Sequence, residues 1–362
     1  MSVRRNKSGK QSGNNRLFKM RQQNGMCGCM PSKSHFESMT KFRIVFLLFL
    51  SAVLFFGCSE RPSGQTVEDS FFVMGTVCDI KIISNDPKKA RNALEEVRGA
   101  LKKTEAEFSF YDNKSRISGI NAEASRGSAV LTEDEAFLIK RSIGLSILTK
   151  GAFDITFDPL WELWKQCEKE NRLPTENEIR IAKENVGYKK ITLSPDGRKI
   201  KFSSKDIKIN LGGIAKGLAL LNCKAAAKNT GTGNFMVNLG GDILALGNGK
   251  GDGWVVAIQD PFDPDKTVKK IKVSDNLVLT SGVYQRYATI EEKRYHHIID
   301  ANTGFPAGDF ASVTLIENAD RKTYVPSLAV FLMGKEKAVE YLGRNPSIGY
   351  YIIEEDGNIL QR

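Results

Sequence analysis

Asn210-Leu211-Gly212-Gly213-Ile214-Ala215-Lys216-Gly217 runs straight into an Ala-rich stretch at residues 218–228. A paired-glycine turn feeding a helix N-terminus offers unpaired backbone N–H groups and the positive end of the helix dipole, and Lys216 adds a mobile cation. This is the chemistry of a phosphate cradle. The spacing of a Walker loop is missing, and so is the Ser or Thr that follows its lysine. The phrase recurs as Asn238-Leu239-Gly240-Gly241, whose glycines let the backbone turn sharply against a ligand. Further on, Tyr295-His296-His297-Ile298-Ile299 leads into Asp300-Ala301-Asn302-Thr303-Gly304. Neighbouring strand residues face opposite sides, so at most one of the two histidines reaches a shared site and a two-histidine metal clasp is not expected. Thr280-Ser281-Gly282 ahead of Arg286-Tyr287 suits either a phosphate or a strand cap. Asp154 and Asp158 are paired acids beside Trp161 and Trp164, which read as core aromatics.

The elements that must position these groups alternate between strand and helix. A strand is predicted at 70–84 and a helix at 87–107, where Ala90, Leu94, Val97 and Leu101 share one face. Thr132 with Glu135, and Thr175 with Glu178, are capping boxes that open two further helices. Both Asn-Leu-Gly-Gly phrases follow predicted strands, Ile207–Ile209 and Phe235–Val237. Ser194-Pro195-Asp196-Gly197 and Asp356-Gly357 each turn a hairpin. Hairpins beside helices predict an α+β fold, and no G-x-G-x-x-G fingerprint follows a first strand.

These phrases together resemble the ApbE family, the FAD:protein FMN transferases. The matching elements run in order from about Phe71 to Gly334: Met74-Gly75-Thr76, Ser109-Phe110-Tyr111 with Ser115 and Asn121, Gly151 through Asp154, Asn210 through Gly217, Asn238 through Asp242, Trp254 with Asp260-Pro261, Thr280 through Gly282, and His297 through Gly304. The resemblance implies one compact domain over residues 68–362, related to the T-fold, that takes FAD as substrate with its diphosphate on Mg²⁺. A Thr or Ser hydroxyl of a target protein then attacks the FMN phosphorus and AMP leaves. Some members of the family let water attack and hydrolyse FAD, and loss of catalysis with retained FAD binding is a further alternative. By position, Met74, Tyr111, Ala152, Phe153, Asp154, Asn210, Lys216 and Ile299 match FAD contacts of the family, and Gly213 matches a metal-binding carbonyl. No residue is assigned as catalytic.

One corner departs from the family pattern. Family members carry Asp and, four residues on, Thr at the start of the last large helix, and both hold Mg²⁺; that spacing sets two oxygens on one helical face. Here Tyr324 stands at the Asp and Leu328 at the Thr. Ser327 and Asp320 are the nearby groups left to hold a metal, and Asn210 sits where the family commonly has Asp.

The N-terminal region carries an address. Behind Lys41 and Arg43 the chain is apolar as far as Phe56, and Gly57-Cys58 follows, so residues 39–57 read as a signal peptide and Cys58 as a lipidation site. An uncleaved anchor is the alternative. Residues 1–38 read as disordered or as an over-extended start, and 58–67 as the lipidated cysteine with its tether. Both readings place the body outside the cytoplasm of a bacterial cell, held at the membrane of the envelope, where the expected partner is an extracytoplasmic redox subunit bearing a Thr/Ser flavinylation motif. Residues 1–43 hold ten Lys and Arg against Glu37, and they account for most of the net charge of +11. The nearly neutral remainder excludes nucleic acid as a partner on charge grounds. Cys27 and Cys29 have no second pair at zinc spacing, and Cys78, Cys167 and Cys223 give no disulfide framework.

Overall fold

A computed structural model describes residues 64–284, 286–319 and 324–362 of the chain. The signal peptide, Cys58 and Asp320 therefore lie outside the described residues. The first described element is a hairpin, β1 (Gln65–Val73) with β2 (Thr76–Ser84), where one strand over 70–84 was expected. The apolar run continues through the turn, so its pattern hides the reversal. Met74 and Gly75 make that reversal with φ of 52° and 73°, the left-handed pair that suits a two-residue hairpin turn. The Glu105 carboxylate holds Met74 in this conformation by accepting from its N–H at 2.6 Å. Strand β1 also begins at Gln65, inside the expected tether.

Eight strands form the main sheet in the order β1-β2-β6-β7-β10-β13-β14-β15, every neighbouring pair antiparallel. Its central members are β6 (Phe235–Leu239), β7 (Asp242–Leu246), β10 (Asn276–Gly282) and β13 (Phe310–Asn318). Strands β14 (Gly349–Glu354) and β15 (Ile359–Gln361) close the far edge around Asp356-Gly357 as expected. One face packs on the helices Pro87–Phe108 and Ala215–Asn229, the first presenting Ala90, Ala93, Leu94, Val97 and Leu101 at helical spacing. Alternate residues of the strands point to the other face, where Ile83, Ala245 and Val278 lie under the hairpin of β8 (Trp254–Gln259) and β9 (Thr267–Val273). The antiparallel sheet with helices on one side is the α+β architecture expected. Both capping boxes are formed, and Ser194–Gly197 joins β4 (Ile191–Leu193) to β5 (Lys199–Phe202).

Ile207–Ile209 is not a strand, although its sequence reads as one. The carboxamide of Asn121 takes the place of a neighbouring strand: its Nδ2 donates to the Ile209 carbonyl at 3.0 Å, and its Oδ1 accepts from the Ile209 N–H at 2.9 Å. Ile207, Ile209 and Leu211 are fully buried, so the apolar pattern that suggested a strand reports burial. Cys78, Cys167 and Cys223 are free and buried.

Candidate active site

Asn210 opens the Gly-Gly turn as an Asx turn. Its Oδ1 accepts from the Gly212 N–H at 2.9 Å, its Nδ2 donates to Asp158 at 3.3 Å, and its own N–H donates to the Ile155 carbonyl at 2.7 Å. The turn delivers the chain into the helix Ala215–Asn229, which has no side-chain cap and carries Lys216 in its first turn. A cation at that end opposes the helix dipole by roughly 0.3–1 kcal/mol, so helix stability does not explain it. Lys216 Nζ instead lies 3.4 Å from the Asp242 carboxylate, at the start of β7. Burial pushes Asp242 above the usual carboxylate range, and Lys216 with the Thr280 N–H pulls it back.

All eight residues matched to FAD contacts line one cavity of about 510 Å³: Met74, Tyr111, Ala152, Phe153, Asp154, Asn210, Lys216 and Ile299. Such a volume suits a nucleotide-sized ligand. The turn of β1 and β2 forms one wall, and Arg286 fixes it by donating to the Gly75 carbonyl at 3.1 Å. The loop 152–155 and the His297–Gly304 segment are tied together by the Ala301 N–H donating to Ala152. Asp154 lines the cavity, and its buried carboxylate accepts from the Thr156 N–H and hydroxyl and from the Tyr188 N–H. Burial raises its pKa despite those bonds.

The histidines diverge as strand geometry requires. His296 ends β12 (Lys293–His296), bonds the Ala307 carbonyl and packs on Phe331, whereas His297 lines the cavity. His297 Nδ1 lies 3.0 Å from the Arg286 carbonyl, which only accepts, so the proton sits on Nδ1 and Nε2 keeps a lone pair. Burial pushes this imidazole down to about 4 against the pull of that carbonyl, and the charge on Arg286 adds to the fall. Three groups of the site were given no role by the sequence reading. Trp161 was assigned to the core beside Trp164; only Trp164 is fully buried, while Trp161 faces the cavity with its ring edge-on to His297. His297 and Asp242 stand at the ends of phrases matched to the family, but the sequence assigned neither of them a role, and the pairing of Asp242 with Lys216 emerges only in the structure.

A smaller cavity of about 110 Å³ adjoins the first at Gly213 and Lys216, with Ser327 and Asp242 in its lining. This is the corner expected to hold Mg²⁺, and its residues do not fit a hard dication. Ser327 Oγ is already paired with Ser281 Oγ at 2.9 Å. Leu328 lies over Gly213 so closely that a Cβ there would come within 2.7 Å of its methyl. Tyr324 is buried and donates its hydroxyl to the Ile214 carbonyl, and burial pushes that hydroxyl far above its ordinary pKa. Tyr324 and Leu328 are therefore packing residues. Among the described residues no group of three His, Cys, Asp or Glu could hold a metal ion.

A Gly-Gly turn, a lysine at a helix start and a deep cavity beside them define a nucleotide-binding domain built on an antiparallel sheet. The family is shown by comparison: the model of the ApbE family matches residues 74–352, and the chain belongs to that family. The FAD:protein FMN transferase of Escherichia coli (strain K12) is 26% identical over 324 residues, covering 86% of this chain and 92% of that protein. That of Haemophilus influenzae is 29% identical over 303 residues, with 80% and 87% covered. Among solved structures, the ApbE protein of Thermotoga maritima superposes with a TM-score of 0.72 at 32% identity, covering 82% of this chain and 97% of that one. The flavin transferase ApbE of Vibrio cholerae gives 0.69 at 25% identity with the same coverage.

Proposed function

We propose that this chain is an FAD:protein FMN transferase. It takes FAD as substrate, and a Thr or Ser hydroxyl oxygen of a target protein forms a new bond to the FMN phosphorus while the bond from that phosphorus to the AMP oxygen breaks. The observation that carries the reading is the convergence of all eight expected FAD contacts on one cavity beside Lys216. Full-length relatives that bear this activity agree with it.

The roles follow from the geometry. The N–H groups at the start of Ala215–Asn229 and the Lys216 ammonium receive the diphosphate, and fixed dipoles and charge of this kind cost no reorganisation as negative charge shifts to the leaving AMP. His297 Nε2 takes the proton of the attacking hydroxyl, since it is the unprotonated ring nitrogen in the cavity. Trp161 and Tyr111 supply aromatic surface for the flavin ring system. No step is routed through Mg²⁺, because the donor set does not hold it.

The site works at the outer face of a bacterial membrane in this reading, with residues 39–57 as signal peptide, Cys58 lipidated, and an extracytoplasmic redox subunit as target. Incubation with FAD and such a subunit should add FMN to the target, seen as a gain of one FMN by intact mass, with AMP released in equal amount. AMP and free FMN without a target adduct would mark a hydrolase instead. Cys58→Ala should release the body from membranes, and unchanged fractionation and mass would rule out the lipid anchor.

A further inference from the structure

We infer that this chain binds the dinucleotide diphosphate without a divalent cation, with the Lys216 ammonium as the counter-charge and the bond from Tyr324 to Ile214 sealing the corner where a metal would sit. The inference rests on the reading of the large cavity as an FAD site.

The first ground is the supply of donors. A small hard cation demands several oxygens in a regular shell and is usually held by one or two carboxylates besides phosphate and water. Among the described residues that line this corner Asp242 is the acid, and both its oxygens are engaged, Oδ1 by the Thr280 N–H at 3.1 Å and Oδ2 by Lys216 at 3.4 Å. The same ammonium repels a dication. The Ser281 and Ser327 hydroxyls are hydrogen-bonded to each other.

Space is the second ground. The Tyr324 ring lies so close to the first turn of Ala215–Asn229 that a Cβ on Gly217 would come within 2.2 Å of Cε2, and the Leu328 methyl covers Gly213. Tyr324 is also pinned along its backbone, where its carbonyl accepts from Arg141 at 2.7 Å and the next N–H donates to Glu317. A rigid ring and a methyl thus fill the space beside Gly217 and Gly213.

Lys216 is the third. Its side chain is 26% exposed and borders both cavities, so the ammonium stands beside the route the diphosphate takes. Arrival of phosphate exchanges one anionic partner, Asp242, for another, and the charge arrives with the protein.

FAD binding to the full-length protein, followed by quenching of flavin fluorescence, tests this. Affinity in EDTA should differ by less than about twofold from affinity in about 10 mM Mg²⁺, and Mn²⁺ used as a paramagnetic probe should show no bound ion in the presence or absence of FAD. The combined Tyr324→Asp and Leu328→Thr variant should acquire a Mg²⁺ requirement, with FAD affinity rising about tenfold or more on adding the metal. A parent protein whose FAD affinity rises tenfold with Mg²⁺, or that binds Mn²⁺ in the corner, overturns the inference and leaves the FAD site standing. Absence of FAD binding under either condition overturns the reading of the site and the inference with it. If the double variant does not fold, the titration of the parent decides alone.

Discussion

Gly217→Ala is a one-methyl change that should cost far more than a helix interior normally charges for it. Replacing a helical glycine by alanine usually gains about 1 kcal/mol in propensity. Here the new Cβ would lie 2.2 Å from Tyr324 Cε2 and 2.3 Å from Cζ, contacts that require one partner to move. Tyr324 has nowhere to go: it is 1% exposed, its hydroxyl is bonded to Ile214, and its carbonyl is bonded to Arg141. Overpacking of this kind costs about 1–3 kcal/mol. Displacing the ring also strands a buried hydroxyl and carbonyl, worth about 1–3 kcal/mol more. Net of the propensity gain, the variant should lose about 1–5 kcal/mol, read as a lower denaturant midpoint at unchanged slope. The cause is isolated by a double-mutant cycle. Tyr324→Ala alone leaves a cavity and should cost about 3–5 kcal/mol, but Gly217→Ala on that background meets no ring, and the coupling between the two changes should be at least about 1 kcal/mol. A Gly217→Ala protein as stable as the parent, or additive costs, would refute the picture of a locked ring against the helix.

Two residues of the cavity, Lys216 and His297, give the remaining outcomes. Lys216→Ala should weaken FAD binding by about 1–3 kcal/mol, the scale of a hydrogen bond to a charged group, and equal affinity by titration would reduce Lys216 to a solvated helix residue. With His297 held down at about 4, FMN transfer should stay level as pH falls from 8 to about 5 and then drop, whereas an unshifted imidazole would already halve the rate near 6.5. His297→Gln should lower transfer by about 10²–10⁴ and abolish that acid limb; a parent profile that bends near 6.5 refutes the assignment. The same shift bears on the fold: the unfolded chain takes the proton near 6.5 and the native state only near 4, so stability should decline as pH falls through that window.

Local signals in the sequence proved sufficient wherever the structure is local. Thr132 with Glu135 and Asp356-Gly357 carry their own geometry, so both the helix start and the hairpin were legible. Met74-Gly75 was not, because Met is an unusual residue for a left-handed turn position and the carboxylate that holds it belongs to Glu105. Ile207–Ile209 misled for the same reason, since the group that replaces its missing strand is Asn121, 88 positions earlier. Within the site, the eight expected positions came together, but a pattern of residue types cannot say which aromatic of Trp161 and Trp164 turns outward. Nor does it reveal that Asp154 spends its carboxylate on Thr156 and Tyr188.

The amide of Asn121 has a bearing on how this domain tolerates change in length. The chain that enters the nucleotide turn hangs on a side chain of the helix Arg116–Arg126, itself fixed by buried Ile117, Ile120 and Ala124. Residues 127–206 leave that helix and return to it, forming a small three-stranded sheet and further helices on the way. Since no ladder of the main sheet sets the position of Ile209, an insertion in the surface turns of that excursion, such as Ser194–Gly197, adds only slowly growing closure entropy and does not shift the register of the turn. The surface turns of this excursion are thus free to vary in length while the phosphate-binding loop, and the cavity wall at 152–161, stay moored.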